Sequence, residues 1–230
     1  MNSWNLKTYL TYALLIVRTS TIVLWWIGFV ALLSVVALSL KGTAAFWPLN
    51  ILVTLLSIAS TPVIYGIYFE LIEDTYSSIP RIFKTYVPGY IWLIIRMYLP
   101  PIFVASLLLS LLAGTIPNFT GSGFLEITLV LFSLIYLFVI PTFYLTGSGR
   151  GSIGTGVAFL LANLSRTTPI LLTVILLETG MLLLQYQRSG FTPGENPAYL
   201  VIDFLVFVIA SIIDYVVFIM LIFILKDQQP

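Results

Sequence analysis

The acidic side chains are the groups in this sequence with chemistry to offer, because it holds no cysteine and no histidine. That absence removes thiolate metal sites, cysteine nucleophiles and Ser-His-Asp catalysis. It also removes histidine as an axial ligand. Metals would have to be hard cations held by oxygen. Of the nine Asp and Glu residues, Glu178, Asp203 and Asp214 fall inside long apolar runs. Glu178 follows Arg166 by twelve residues, and Asp214 precedes Lys226 by twelve. Both would sit about 18 Å from the same membrane face. A carboxylate at that depth is costly and marks an ion or proton path by default. If Glu178 and Asp214 meet, they share a proton rather than both ionise. Asp203, eleven residues before Asp214, returns to nearly the same helix face and extends an acidic track. The competing reading makes each acid a protonated hydrogen-bond donor that holds helices together.

Glu70, Glu73 and Asp74 form a second group, sharing one helix face at i, i+3 and i+4. Three carboxylates there could hold a divalent cation. The alternative is a solvated helix end answered by Arg81 and Lys84. An acidic group at a helix C-terminus opposes the macrodipole, so it is not a stability device. Gly149-Arg150-Gly151-Ser152-Ile153-Gly154 fits the dinucleotide pattern G-x-G-x-x-G. That pattern works between a strand and a helix. Here it follows an apolar run, so it reads as a flexible turn, with Arg150 available to anionic headgroups. No cofactor is expected.

These residues need a membrane to position them. Of 230 residues, 60% are hydrophobic and 8% charged. A soluble domain carries about 25% charged residues. So few charges cannot cover so much apolar surface in water, and the chain is an integral membrane protein. A crossing helix takes about 20 apolar residues. Six runs qualify, at roughly 20–40, 49–70, 98–116, 127–147, 168–187 and 199–225. Placing both termini inside puts Lys7, Arg18, Arg81, Lys84, Arg96, Arg150, Arg166 and Lys226 on the cytoplasmic side, against Lys41 and Arg188 outside. That bias sets the orientation. The apolar N-terminal run is too long for a signal peptide and reads as an uncleaved first span. Pro62, Pro100, Pro101, Pro141 and Pro169 lie in or at the start of spans, where they would kink helices or act as hinges.

The chain also repeats. Lys7-Thr8-Tyr9-Leu10, leading to Arg18, matches Lys84-Thr85-Tyr86-Val87, leading to Arg96. Arg166-Thr167-Thr168-Pro169-Ile170 echoes Arg18-Thr19-Ser20-Thr21-Ile22. Pro62 and Pro141 are each followed three residues later by a tyrosine, Tyr65 and Tyr144. The expected architecture is all-α and polytopic, with three units at about 4–74, 79–148 and 153–226. Each unit is an interfacial amphipathic helix (about 4–17, 79–95 and 153–165) followed by a transmembrane hairpin. Pro88-Gly89 is expected to break or kink the second amphipathic stretch. Arg18, Arg96 and Arg166 would anchor the outward spans at lipid headgroups. Through Pro62-Val63-Ile64-Tyr65-Gly66 to Phe83, then Arg96 to Pro101, the chain resembles the six-span membrane domain found fused to bacterial glycerophosphodiester phosphodiesterases, and related bacterial membrane families. The resemblance implies the topology and a bacterial inner membrane. It supplies no catalytic residues, and without a phosphodiesterase domain in this sequence it implies no such activity.

Three functions are open at this point. The first is a scaffold or accessory subunit of a larger membrane complex, because no catalytic constellation is evident. Its partners would be the bilayer and other membrane subunits; nothing basic enough for nucleic acid is present. The second is the membrane component of a transporter with an intramembrane acidic site. The third is a lipid-acting enzyme, for which only Glu70, Glu73 and Asp74 offer the clustered acids that metal catalysis needs.

Overall fold

The computed structural model describes the backbone of residues 6–75, 77–115, 122–149, 151–189 and 198–227. Every regular element among them is helical: α1 Leu6–Thr19, α2 Thr21–Ser39, α3 Phe46–Ile72, α4 Ile79–Thr115, α5 Ser122–Ile135, α6 Val139–Thr146, α7 Gly151–Ala162, α8 Leu164–Ser189 and α9 Ala198–Lys226. Four stretches are long and apolar enough to cross a membrane: Thr21–Ser39, Phe46–Ile72, Ile79–Leu111 and Tyr199–Lys226. α7 and α8 supply a fifth only if taken as one broken span, bent by 103°. The protein is therefore an all-α, multi-pass membrane protein. It divides into two compact units, Met1–Val87 with Thr179–Pro230, and Pro88–Glu178.

The breaks between helices have local causes. At Ser20 the hydroxyl donates to Ile16 O at 3.1 Å and separates α1 from α2. At Asn163 the side-chain amide donates to Phe159 O at 3.0 Å and separates α7 from α8. Such side chains compete with the backbone ladder. Asp74, at φ 51°, takes the left-handed conformation just beyond α3, a role that tolerates Asp. Gly147, at φ 65°, caps α6 the same way, its N–H donating to Phe143 O at 2.9 Å.

Two expectations change. The run at 127–147 is not one helix, because α5 ends at Ile135 and α6 begins at Val139. The residues between make tight three-residue bonds, with Val139 N–H donating to Tyr136 O at 2.9 Å. Pro141 explains the break, since its ring would collide with the Leu137 carbonyl and could not bond it. The stretch around Pro88-Gly89 does not break the helix, because α4 runs through it from Ile79 to Thr115. Gly89 serves a close approach instead, since a Cβ there would lie 2.9 Å from Phe143 Cζ.

In the first unit, one end is clamped. Tyr9 and Tyr12 of α1 pack on Phe223 of α9, with ring centroids 6.4 and 6.1 Å apart. The Tyr9 hydroxyl donates to Asp227 Oδ2. The neighbouring Lys226 Nζ pairs with Glu73 Oε1 of α3 at 2.8 Å. α3 and α9 thus end side by side, on α1. α2 packs behind both, where Val30, Ala37 and Val53 form an apolar cluster with Trp26, Leu33, Leu49 and Phe207. Residues 79–87 rest on α3: a Cβ at Gly66 would lie 2.6 Å from Ile82 Cγ2, and Phe69 meets Tyr86 at 6.3 Å. In the second unit α7 rests on α6, with Phe138 and Phe159 at 4.9 Å.

The Tyr9 phenol is pushed up to about 12 from the ordinary 10, first by burial and then by its bond to the Asp227 carboxylate. Folded protein holds this proton more tightly than unfolded chain, so the contribution is whole below pH 10 and is lost as pH rises through 12. The α1–α9 contact should loosen over that window. Tryptic release of the N-terminal segment, or hydrogen exchange in α1, measured against pH would show it. Tyr9→Phe should remove the pH dependence; a profile unchanged by that variant would contradict the assignment.

Candidate functional site: a hydroxyl stripe facing an intramembrane carboxylate

α3 carries six polar side chains at helical spacing: Asn50, Thr54, Ser57, Thr61, Tyr65 and Tyr68. At 100° per residue they fall within an arc of about 80°, over a rise of about 27 Å. The hydrocarbon core is about 30 Å thick, so the stripe is almost as long as the membrane is deep. Its two halves differ. Thr54 is exposed and Asn50, Ser57 and Thr61 are half-buried, whereas Tyr65 is 4% and Tyr68 0% exposed. The threonine hydroxyls are satisfied locally as donors, Thr54 Oγ1 to Asn50 O and Thr61 Oγ1 to Ser57 O, each at 2.8 Å. Thr61 is also hydrogen-bonded to the Tyr215 side chain of α9, and the Thr54 oxygen keeps lone pairs that can accept.

α9 faces the closed half of this stripe. The Tyr65 hydroxyl donates to Asp214 Oδ2 at 2.5 Å. The Tyr65 ring lies 4.3 Å from Phe218 and 5.5 Å from Tyr215, and Tyr68 lies 5.6 Å from Tyr215. Described contacts between α3 and α9 lie here and at the Glu73–Lys226 pair, and further along α9 Phe207 packs on the apolar cluster that α2 and α3 share through Val30, Ala37 and Val53.

Asp214 is the unusual member. It shares a helix face with Asp203, Phe207, Phe218, Leu221 and Leu225, all within an arc of about 80°. Asp203, Phe218, Leu221 and Leu225 are buried, yet Asp214 is exposed. The packing opens at the one carboxylate that a tyrosine holds in place. Asp203, three turns away toward the other end, is 9% exposed. α9 thus carries Asp203 and Asp214 on one face, as their spacing requires.

The other candidates fare differently. The side chain of Glu178 lies outside the described residues. Glu70 Oε2 accepts from Ser77 N–H at 2.7 Å, Glu73 pairs with Lys226, and Asp74 is exposed beyond the helix end. Each of the three is drawn a different way, and among the described residues no group of three or more acids is placed to hold a metal ion. Arg18 closes α1 on an exposed face, Arg166 lies in the first turn of α8, and Arg96 stacks 4.8 Å over the Trp92 ring, a cation–π contact. The glycine pattern at 149–154 lies across the turn into α7, where Gly151 N–H donates to Ser148 Oγ at 3.4 Å; Arg150 itself is outside the described residues. No strand precedes it among the described residues.

Sequence reasoning missed Tyr65 as the partner of Asp214, and with it the α3 stripe. The signal was present as polar residues recurring every three or four positions. Set against the known proteins, the chain matches no family model, no curated protein and no solved structure.

Proposed function

We propose that this protein is the membrane component of a transporter for a small cation or the proton, with Asp214 as its intramembrane site and Tyr65 as the residue that orients it. The observation that carries this reading is the exposure of Asp214 on a helix face whose other members, Asp203, Phe207, Phe218, Leu221 and Leu225, are buried or half-buried. A carboxylate at such depth is stable only against water, a cation or a donor. Tyr65 supplies one such donor.

The topology that goes with this function is six spans in three units, in the bacterial inner membrane with both termini cytoplasmic. Three dockings support it: residues 79–87 and α7 each rest on the helix that ends the unit before, α3 and α6, and α1 rests on α9, which ends the last unit. The likeness to the six-span domain of the phosphodiesterases points the same way. So does the charge bias, eight basic residues against two.

The test is flux through proteoliposomes under imposed gradients of Na⁺, K⁺ and pH. Flux of one of these ions should fall about tenfold or more in Asp214→Asn, which keeps a hydrogen-bonding side chain but cannot carry the charge. Equal flux in the variant and the parent would defeat the proposal. The accessory-subunit reading draws on the small polar mass outside the helices. Co-purification of a stoichiometric membrane partner, with no Asp214-dependent flux, would favour it.

A further inference from the structure

We infer that the ion moved is the proton, and that it reaches Asp214 along the α3 hydroxyl stripe from the end far from the Tyr9–Asp227 clamp. This inference rests on the transport reading above and names its substrate. Three observations carry it. First, successive polar groups on the stripe stand one helical turn apart, about 5–6 Å between Cβ atoms. A single water bridges that gap. A calcium ion needs six or more oxygens at about 2.3–2.6 Å, which groups one turn apart cannot supply together. Second, the stripe is exposed at Thr54 and closed at Tyr65 and Tyr68, so the route we infer for water runs from the Thr54 end. Tyr65, Tyr68, Tyr215 and Phe218 form the plug at the other. Third, the charged groups on the packed elements lie away from Asp214. α2 has none; on α3 Glu70 and Glu73, and on α1 Lys7 and Arg18, sit toward the clamped end, with Lys226 and Asp227 of α9. Asp203 lies three turns toward the open end, and among the described residues Tyr65, Tyr68 and Tyr215 are titratable groups packed at the site.

The step balances without a co-reactant. A hydronium on the open side gives its proton to the Asp214 carboxylate and leaves as water, so one O–H bond breaks and one forms. When the tyrosine plug moves, that proton passes to water on the clamped side. One proton and one positive charge cross, driven by the gradient.

The experiment uses full-length protein in liposomes loaded with a pH-sensitive dye, with the potential set by potassium and valinomycin. Labelled sodium and rubidium are measured in separate vesicles without valinomycin, which itself carries rubidium. Proton flux should appear in the parent, fall to the protein-free level in Asp214→Asn, drop several-fold in Ser57→Ala and Thr61→Val, and return in Thr61→Ser. Gel filtration of each variant reports folding. Asp214-dependent sodium or rubidium flux without proton flux overturns the proton assignment and leaves the transport reading standing. Full proton flux in both Thr61→Val and Ser57→Ala overturns the route. No Asp214-dependent flux of any of the three ions overturns both.

Discussion

Gly156→Ala is expected to destabilise the protein by about 3 kcal/mol, the upper end of the range for overpacking a close contact. Gly154→Ala, two residues away, should be neutral or stabilise by up to about 1 kcal/mol through helix propensity. The difference is geometric. A Cβ at Gly156 would lie 2.7 Å from Val139 Cα, 2.8 Å from Val139 N and 2.9 Å from Phe138 C. Those are backbone atoms at the start of α6, so no rotamer change relieves them and the helix itself must move. A Cβ at Gly154 meets nothing within 4 Å. Gly66 falls between, because its close neighbours are the Ile82 and Tyr86 side chains, which can turn aside. Thermal unfolding in detergent, followed by tryptophan fluorescence, separates the three. Equal midpoints for Gly156→Ala and Gly154→Ala would refute the close docking of α7 on α6.

Tyr65→Phe and Tyr68→Phe should have opposite outcomes although they delete the same atom two turns or less apart on one helix. Tyr65 donates to the Asp214 carboxylate, and losing a bond to such a group should cost about 1–2 kcal/mol. Tyr68 is fully buried and its hydroxyl has no hydrogen-bond partner among the described residues. Removing a buried polar atom that nothing satisfies should be neutral or mildly stabilising. A double-mutant cycle of Tyr65→Phe with Asp214→Asn should recover about 1 kcal/mol of coupling. A cycle that closes at zero would mean the two side chains do not bond.

Composition was enough for the all-helical membrane class, because no arrangement of 60% apolar and 8% charged residues is stable in water. Helix ends were legible where a residue enforces them, as at Gly147. The break at 136–138 was hidden, because hydropathy averages over Leu137, Phe138 and Val139 and is blind to the hydrogen bond that Pro141 cannot make. The continuation of α4 through Pro88 was hidden for the opposite reason, since in an apolar setting neighbouring groups hold a proline-containing helix together. Asp203 and Asp214 could be placed on one face by counting. The partner of Asp214 could not, because Tyr65 is 149 residues away in sequence and hydroxyl side chains are common in membrane helices without any function.

Cysteine accessibility is the measurement that tests the account most directly, and the chain has no native cysteine to interfere. Single cysteines at Thr54, Ser57 and Thr61 should react with a charged, membrane-impermeant thiol reagent, because the account places water along that face of α3. Cysteines at Leu55 and Ile58, on the same helix and exposed in the structure, should not react, because the face they occupy is turned to lipid. Reaction should come from the side opposite the termini and should stop at Tyr68. If positions 54, 57 and 61 prove as inert as 55 and 58, the stripe is dry, Asp214 has no aqueous approach along it, and its hydrogen bond to Tyr65 is a structural tie between α3 and α9.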